Sequence, residues 1–338
     1  MEVSTQTAET VRTGVDALID NIRSVISIDY TKLQHLVAAH IAGGHVLLAD
    51  SHGVGKTSLA RALAGSIRWK ERDVAPGSNG DRPTPGVQME DFSRVQCTVD
   101  LLPQDILGYN RMSGVGGELS FNKGPIFSHF VLCDEINLLT PKTQGSFFQA
   151  MEEQEVSVEG RTYRLNDPFF IIATMNLKGA HLFPLPAPQL DRFMIQLSMG
   201  YPPMESEKEI VAQHGRTDSW SGFAPVVPAD ALLEWKEMVD EVYIADEVIH
   251  YIVGCVRATR EHADVMTGAS PRTGVKVSRL ARALSLIRGE TFVTIDTVKE
   301  IFPAAVTHRL AMKSSAQNPS DVIDDVLKTV PVEAVGRR

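Results

Sequence analysis

The stretch ADSHGVGKTSLA, Ala49 to Ala60, follows the hydrophobic run Val46-Leu47-Leu48 and leads into a helical pattern through Leu59, Leu63 and Ala64. Its end, Gly55-Lys56-Thr57, completes the phosphate-loop pattern G-x-x-x-x-G-K-[ST], but Asp50 stands where the pattern has its first glycine. The rest of the loop meets the physical requirement. Glycines at 53 and 55 let backbone N–H groups close round phosphate oxygens at a helix N-terminus, and Lys56 adds a charge-assisted contact to the outer oxygens. Thr57 is suited to ligate Mg²⁺. The binding segment read from this spans Asp50, Ser51, His52, Gly53, Val54, Gly55, Lys56, Thr57 and Ser58. The first glycine of such a loop serves the turn more than the phosphate, so Asp50 does not remove the site.

Outward from this loop the first half alternates strand-like and helix-like segments, the pattern of an α/β fold. His45 to Ala49, Arg94 to Thr98, His129 to Asp134, Phe169 to Met175 and Met194 to Ser198 are short runs rich in Val, Ile, Leu and Phe, as buried parallel strands are. Thr140-Pro141 is an N-cap followed by proline at the first helical position, opening a helix with Phe147, Phe148 and Met151 on one side. EVSVEGRTYRL, Glu155 to Leu165, predicts a protruding β-hairpin turning at Glu159-Gly160. Trp69 to Asp91, full of Gly, Pro, Asn and charge, offers too little apolar surface to order itself and reads as a mobile loop.

From about Pro202 the strand pattern stops and helical periodicity takes over. Val248, Tyr251, Ile252, Cys255, Val256 and Thr259 mark one face of a helix capped by Asp246. Ser270-Pro271 opens another, with Val277, Leu280, Ala281, Leu284 and Ile287 inward. Thr294 begins a third that Pro303 kinks or ends. The expected division is an α/β core over residues 1–200, a linker over 201–225 and a helical unit over 226–338.

Two strand ends carry further chemistry. FVLCDEIN, Phe130 to Asn137, places Asp134 and Glu135 at the C-terminal edge of a buried strand, where α/β sheets bind ligands. Beside a phosphate loop, Asp134 would hold Mg²⁺ through water and Glu135 would polarise an attacking water. FFIIATMN ends in Asn176, suited to orient that water, although asparagine also ends strands for turn reasons alone.

These motifs, in this order, resemble the AAA+ ATPases and, within them, the MoxR family. The stretches that carry the likeness are HVLLADSHGVGKT, TVDLLPQDILG, GPIFSHFVLCDEIN, QAMEEQEVSVEG, FFIIATMN, LPAPQLDRF and GASPR. Members of this family often have an acidic residue at the loop's first position, so Asp50 fits. The resemblance implies a P-loop core with a helix-2 insertion at Leu101 to Ile126, a hairpin before sensor 1 at Glu155 to Leu165, and a C-terminal helical lid. It assigns Lys56 and Thr57 to Walker A, Asp134 and Glu135 to Walker B, and Asn176 to sensor 1. Arg192 in LDRF matches the arginine finger that reaches a neighbouring subunit, and Arg272 in SPR matches sensor 2. It further implies ATP with Mg²⁺, a ring that is commonly a hexamer, a protein client, and a partner bearing a von Willebrand factor A domain. The associated role is chaperone-like maturation of other proteins, sometimes with metal insertion. His52, Leu138 and Leu177 depart from the family's usual proline, arginine and proline.

Composition sets the outer bounds. Of 338 residues 43% are hydrophobic and 22% charged, which excludes disordered and fibrous classes. No apolar run approaches the ~20 residues of a membrane-spanning helix. The polar MEVSTQTAET start lacks the features of a signal peptide, and the expected location is the cytoplasm. A net charge of -9 argues against a broad nucleic-acid footprint. Cys97, Cys133 and Cys255 lack metal-ligand spacing and read as buried thiols. Glu247-x-x-His250 has no third ligand in its local pattern, and Glu152-Glu153-Gln154-Glu155 reads as a solvated helix end. A DNA-acting motor of the same superfamily and a nucleotide-holding ring without turnover remain the alternatives.

Overall fold

The computed structural model describes residues 3–50, 53–69, 89–113, 118–176, 183, 185–212, 220–314 and 316–332. Five parallel strands form the central sheet, labelled here β1 (Val46–Ala49), β2 (Glu90–Gln96), β3 (Ser128–Asp134), β4 (Phe170–Met175) and β5 (Ile195–Leu197). Their spatial order is β5-β1-β4-β3-β2. The strand expected at Arg94 to Thr98 starts four residues earlier and ends at Gln96. Glu90 and Asp91, assigned from composition to the mobile loop, instead open β2, where Glu90 N–H donates to the Phe127 carbonyl at 2.9 Å. Trp69 stacks on His129 with ring centroids 4.1 Å apart, and residues 70–88 lie outside the described residues.

Strand residues alternate between two packed layers, as the two-residue period of a β-strand requires. Val46, Leu48, Phe130, Leu132, Phe170, Ile172 and Ile195 join one buried cluster, and Leu47, Val131, Cys133, Ile171 and Ala173 join the other. The first layer is covered by helices Thr5–Arg23, Tyr30–Ile41 and Lys56–Gly65 and by the C-terminal helices. Two helices thus precede β1, which the alternation reading did not contain. They are capped by Ser4, whose side chain accepts from Thr7 N–H, and by Asp29, which accepts from Lys32 N–H. The second layer is covered by helix Pro141–Glu153 and by two hairpins, Gly108–Ser113 with Glu118–Lys123 and Glu155–Val158 with Arg161–Arg164.

The second hairpin turns at Glu159 and Gly160, with φ of 49° and 80°, as its Glu-Gly pair predicts. It does not simply protrude. Val156 and Tyr163 are buried, and Asn110 in the first hairpin donates to Glu159 Oε2 at 2.6 Å, so the two hairpins form one docked unit.

In the C-terminal half, the predicted inward faces of helices Asp246–Glu261 and Pro271–Ile287 are buried in full. Burying each such Leu or Ile is worth about 1.5–3 kcal/mol, and Leu284→Ala would cost about 2–5 kcal/mol. Three details differ from expectation. Asp246 is the first helical residue and Ala245 the cap, so its carboxylate acts on the helix dipole rather than as a cap. Helix Ile295–Val306 runs through Pro303 and ends three residues later. Short strands also persist after Pro202: Val227–Pro228 pairs with Ile67–Arg68, and Val265–Thr267 with Ala311–Met312.

Candidate nucleotide site

A parallel sheet brings the C-terminal ends of its strands to one edge, and three of the sequence motifs sit there. The loop from Asp50 follows β1, Asp134 ends β3 with Glu135 beyond it, and Asn176 follows β4. Gly53 and Gly55 hold φ of 81° and 89°, a left-handed backbone that glycine adopts without strain. A Cβ on Gly55 would also stand 3.2 Å from Ile26 Cδ1. Gly55 caps helix Lys56–Gly65, so the N–H groups of the first turn face the loop. Lys56 is buried and its ammonium donates to the Asp50 carbonyl at 3.1 Å. Thr57 and Ser58 open the helix beside it; Ser51 and His52 lie outside the described residues.

Asp50 has a role that the motif does not reveal. It is not among the positive-φ residues, so the position needs no glycine. Its Oδ1 accepts from the Ser198 hydroxyl and its Oδ2 from Met199 N–H, both at 2.6 Å. The carboxylate therefore ties the start of the loop to the chain leaving β5, its neighbour in the sheet. Lys32 donates to the Met199 carbonyl at 3.0 Å and holds the other side of that segment.

At the end of β3, Thr174 organises both carboxylates. Its hydroxyl donates to Asp134 Oδ1 at 2.7 Å and accepts from Glu135 N–H at 2.8 Å. Glu135 is held at φ 62°, ψ 54°, a left-handed conformation that costs a non-glycine residue about 1–2 kcal/mol. Strain of that kind persists where neighbours over-determine it. Arg94 on β2 donates from Nη2 to Asp134 Oδ2 at 2.7 Å and to Gln96 Oε1 at 2.6 Å. Sequence reasoning missed Thr174 and Arg94. Thr174 was legible in principle, since it lies two residues before Asn176 on a strand and so shares its face. Asn137 Nδ2 donates to the Asn176 carbonyl at 3.3 Å, joining the ends of β3 and β4.

The donor set suits Mg²⁺, because the Thr57 hydroxyl and the Asp134 carboxylate are hard oxygen donors. Among the described residues no group of three or more His, Cys, Asp and Glu could hold a metal by itself. Mg²⁺ is commonly bound through one or two protein oxygens together with substrate phosphates and water. All three cysteines are buried thiols, as their scattered spacing predicts. Cys97, just past the end of β2, and Cys133 in β3 have their sulfurs 3.2 Å apart, and burial pushes the Cys133 thiol well above its ordinary pKa.

Arg192 and Arg272 do not join this edge. Arg192 precedes β5, and Met194 N–H donates to the His45 carbonyl at 2.7 Å just before β1, so Arg192 lies at the N-terminal edge. The two edges are separated by the strand, roughly 13 Å for four residues. Arg192 Nη1 donates to the Phe148 carbonyl at 2.6 Å and pairs with Glu152 Oε2 at 3.0 Å. Arg272 Nη1 lies 3.9 Å from Glu152 Oε1 and is largely exposed. Glu152, read from sequence as part of a solvated helix end, therefore gathers both arginines.

Comparison with known proteins agrees with this architecture. Residues 85–195 match the model of the ATPase family associated with various cellular activities (AAA), and residues 257–329 match the AAA lid domain. The chain is 36% identical over 282 residues to the uncharacterized protein YeaC of Bacillus subtilis, covering 83% of this chain and 82% of that one. It is 31% identical over 342 residues to the chaperone MoxR1 of Mycobacterium tuberculosis, covering 97% and 84%. The protein MoxR of Methylorubrum extorquens is 26% identical over 326 residues, with 88% of each chain covered. A crystal structure of a candidate ATPase from Cytophaga hutchinsonii superposes with a TM-score of 0.82 at 26% identity, over 96% of this chain and 97% of that one. With the P-loop core, the insertion, the hairpin and the helical lid all in place, the chain belongs to the MoxR family of AAA+ ATPases.

Proposed function

We propose that this protein hydrolyses ATP to ADP and phosphate within a ring of identical subunits, without a nucleic-acid partner, and uses that turnover to remodel or mature partner proteins.

 We take residues 1–200 as the nucleotide-binding core, 201–225 as a linker and 226–338 as the lid. The observation that carries this reading is the division of the machinery between the two edges of one parallel sheet. The loop, Asp134, Glu135 and Asn176 share the C-terminal edge, whereas Arg192 and Arg272 meet at Glu152 on the other. Groups so placed cannot serve one pocket within one chain, and they suit a ring in which each subunit supplies arginines to the next. Arg272 acts in trans beside Arg192 on this reading.

The residues of the chain then have separable tasks. N–H groups of residues 53–58 and the Lys56 ammonium bind the phosphates. Thr57 and Asp134 would hold Mg²⁺, which would supply positive charge to screen the phosphates. Thr174 fixes the Glu135 backbone, so that its carboxylate can orient and deprotonate a water, with Asn176 aiding the alignment. Arg192 and Arg272 of the adjoining subunit stabilise charge on the outer phosphate. A protein client, a von Willebrand factor A domain partner, a hexameric ring, a cytoplasmic location and a role in metal insertion are carried over from the family. The name of the Mycobacterium tuberculosis relative, a chaperone, supports a protein client.

The test combines labelled-ATP titration with phosphate release. Glu135→Gln is expected to retain ATP and lose turnover, Lys56→Ala to lose saturable ATP uptake, and Arg192→Ala to bind ATP but turn over no faster than dilute monomer. ATP uptake that survives Lys56→Ala, or full turnover by Glu135→Gln, rejects the site.

A further inference from the structure

The segment carrying Arg192 is held by a lid side chain that no motif singles out. Arg309 ends the short turn Thr307–Arg309 after helix Ile295–Val306, and its side chain is only 2% exposed. Nε donates to Asp191 Oδ1 at 2.7 Å, and Nη2 donates to the Asp191 carbonyl at 3.2 Å and to the Phe193 carbonyl. Nη1 donates to the Met194 carbonyl at 3.3 Å and to the Ala305 carbonyl at the end of its own helix. Lys276, one turn beyond Arg272, donates to the same Asp191 carbonyl. The backbone is thus gripped on both sides of Arg192, while the Arg192 side chain itself is directed to the Phe148 carbonyl and Glu152.

Burying a guanidinium is costly, and an apolar side chain of similar volume usually packs as stably or better. What the guanidinium adds is a planar fork whose donors fix several acceptors at once. We propose that Arg309 is the positioning residue of Arg192: a lid-borne clamp that fixes residues 191–194 to the lid, so that movement of the lid carries Arg192 with it. This rests on the reading of Arg192 as the group that completes the neighbouring subunit's site. Nucleotide-driven motion of one lid would then be transmitted to the next active site through Arg309 and the segment it holds.

Arg309→Met tests the clamp, because it keeps the volume and removes the fork. Asp191→Asn is the milder second variant, should Arg309→Met fail to fold. Each is measured for melting, assembly by light scattering, labelled-ATP affinity, turnover of assembled protein, and amide exchange across residues 191–194. The expected result is normal assembly, ATP affinity within about twofold, exchange faster at 191–194, and turnover at least about tenfold lower, a barrier change of about 1.4 kcal/mol. In an Arg192→Ala background neither variant should cause any further loss, since the clamp acts only through that side chain. Wild-type turnover in Arg309→Met, or in Asp191→Asn if the first does not fold, overturns the proposal. So does loss of assembly or ATP affinity in step with turnover, or independent multiplication with Arg192→Ala. Full activity of Arg192→Ala alone rejects the finger reading instead, which separates the two failures.

Discussion

Replacing Asp50 by glycine restores the consensus phosphate loop, and the structure predicts that the restored loop is worse. Both carboxylate oxygens are engaged at 2.6 Å, one by the Ser198 hydroxyl and one by Met199 N–H. Ser198 is exposed, so water replaces most of its bond. Met199 is buried, and losing a charged acceptor there costs about 1.5–3 kcal/mol. Glycine adds about 0.5–1 kcal/mol of backbone entropy, because the position does not use positive φ. The sum is about 2–4 kcal/mol, or roughly 3–6 °C in Tm for a chain of this size. Asp50→Asn, which keeps one acceptor oxygen, should lose about half as much. Since the same bonds hold the loop's first residue against β5, labelled ATP should also bind roughly three- to tenfold more weakly to Asp50→Gly. Thermal melting and ATP titration together decide the matter. If Asp50→Gly melts within about 1 °C of the parent and binds ATP equally well, the carboxylate bonds contribute no more than water would, and the reasoning is wrong.

Thr174→Val preserves shape but leaves Glu135 N–H without its acceptor, at a cost of about 1–3 kcal/mol, and frees the Glu135 backbone. Phosphate release should fall about tenfold or more while ATP affinity, measured by titration, changes little. Arg94→Gln removes the cation paired with Asp134, which is half exposed and therefore worth about 1 kcal/mol. The Mg²⁺ concentration for half-maximal nucleotide binding should drop about fivefold, and an unchanged value would deny Arg94 any influence on the metal site. Stability should fall in acid through buried histidines, His40 and His45 among them. Burial pushes His40 down to about 3 and His45 to about 4, so both are neutral when folded and their contribution is complete above the ordinary value of 6.5. As pH falls below 6.5 the unfolded chain takes up protons that the folded one refuses, and stability declines by up to about 2.7 kcal/mol per pH unit near pH 5. Denaturant melts from pH 7 to 4.5 measure this slope. His40→Phe, which keeps the ring beside Phe130 and Phe170, should lower the slope by about 1.4 kcal/mol per pH unit, while buried His308, also held well below its ordinary value, keeps its share.

Much of the core was legible because its signals are local. Glycines at 53 and 55, a hydrophobic run before them and a helix after them specify a strand, loop and helix within about fifteen residues. Thr140-Pro141, Ser270-Pro271 and the Glu159-Gly160 turn likewise act on their own backbone, and the structure has each where the sequence put it. The buried faces of helices Asp246–Glu261 and Pro271–Ile287 follow from a 3.6-residue period that needs no tertiary information. The helices before β1 carry an equally regular pattern, Ala8, Val11, Val15, Leu18 and Ile22, and were within reach of the same reasoning.

Tertiary structure alone decided which distant side chains meet. Asp50 finds Met199, Arg94 finds Asp134, Glu152 collects Arg192 and Arg272, and Arg309 clamps Asp191. These pairs span from tens to well over a hundred positions, and whether they touch depends on strand order and on how the lid docks. Hydrophobic periodicity says which face of an element is buried but not against which other element, because burial of apolar surface is non-directional. Charged and hydrogen-bonding groups have direction, yet they can use it only after the sheet and the lid have brought them within reach.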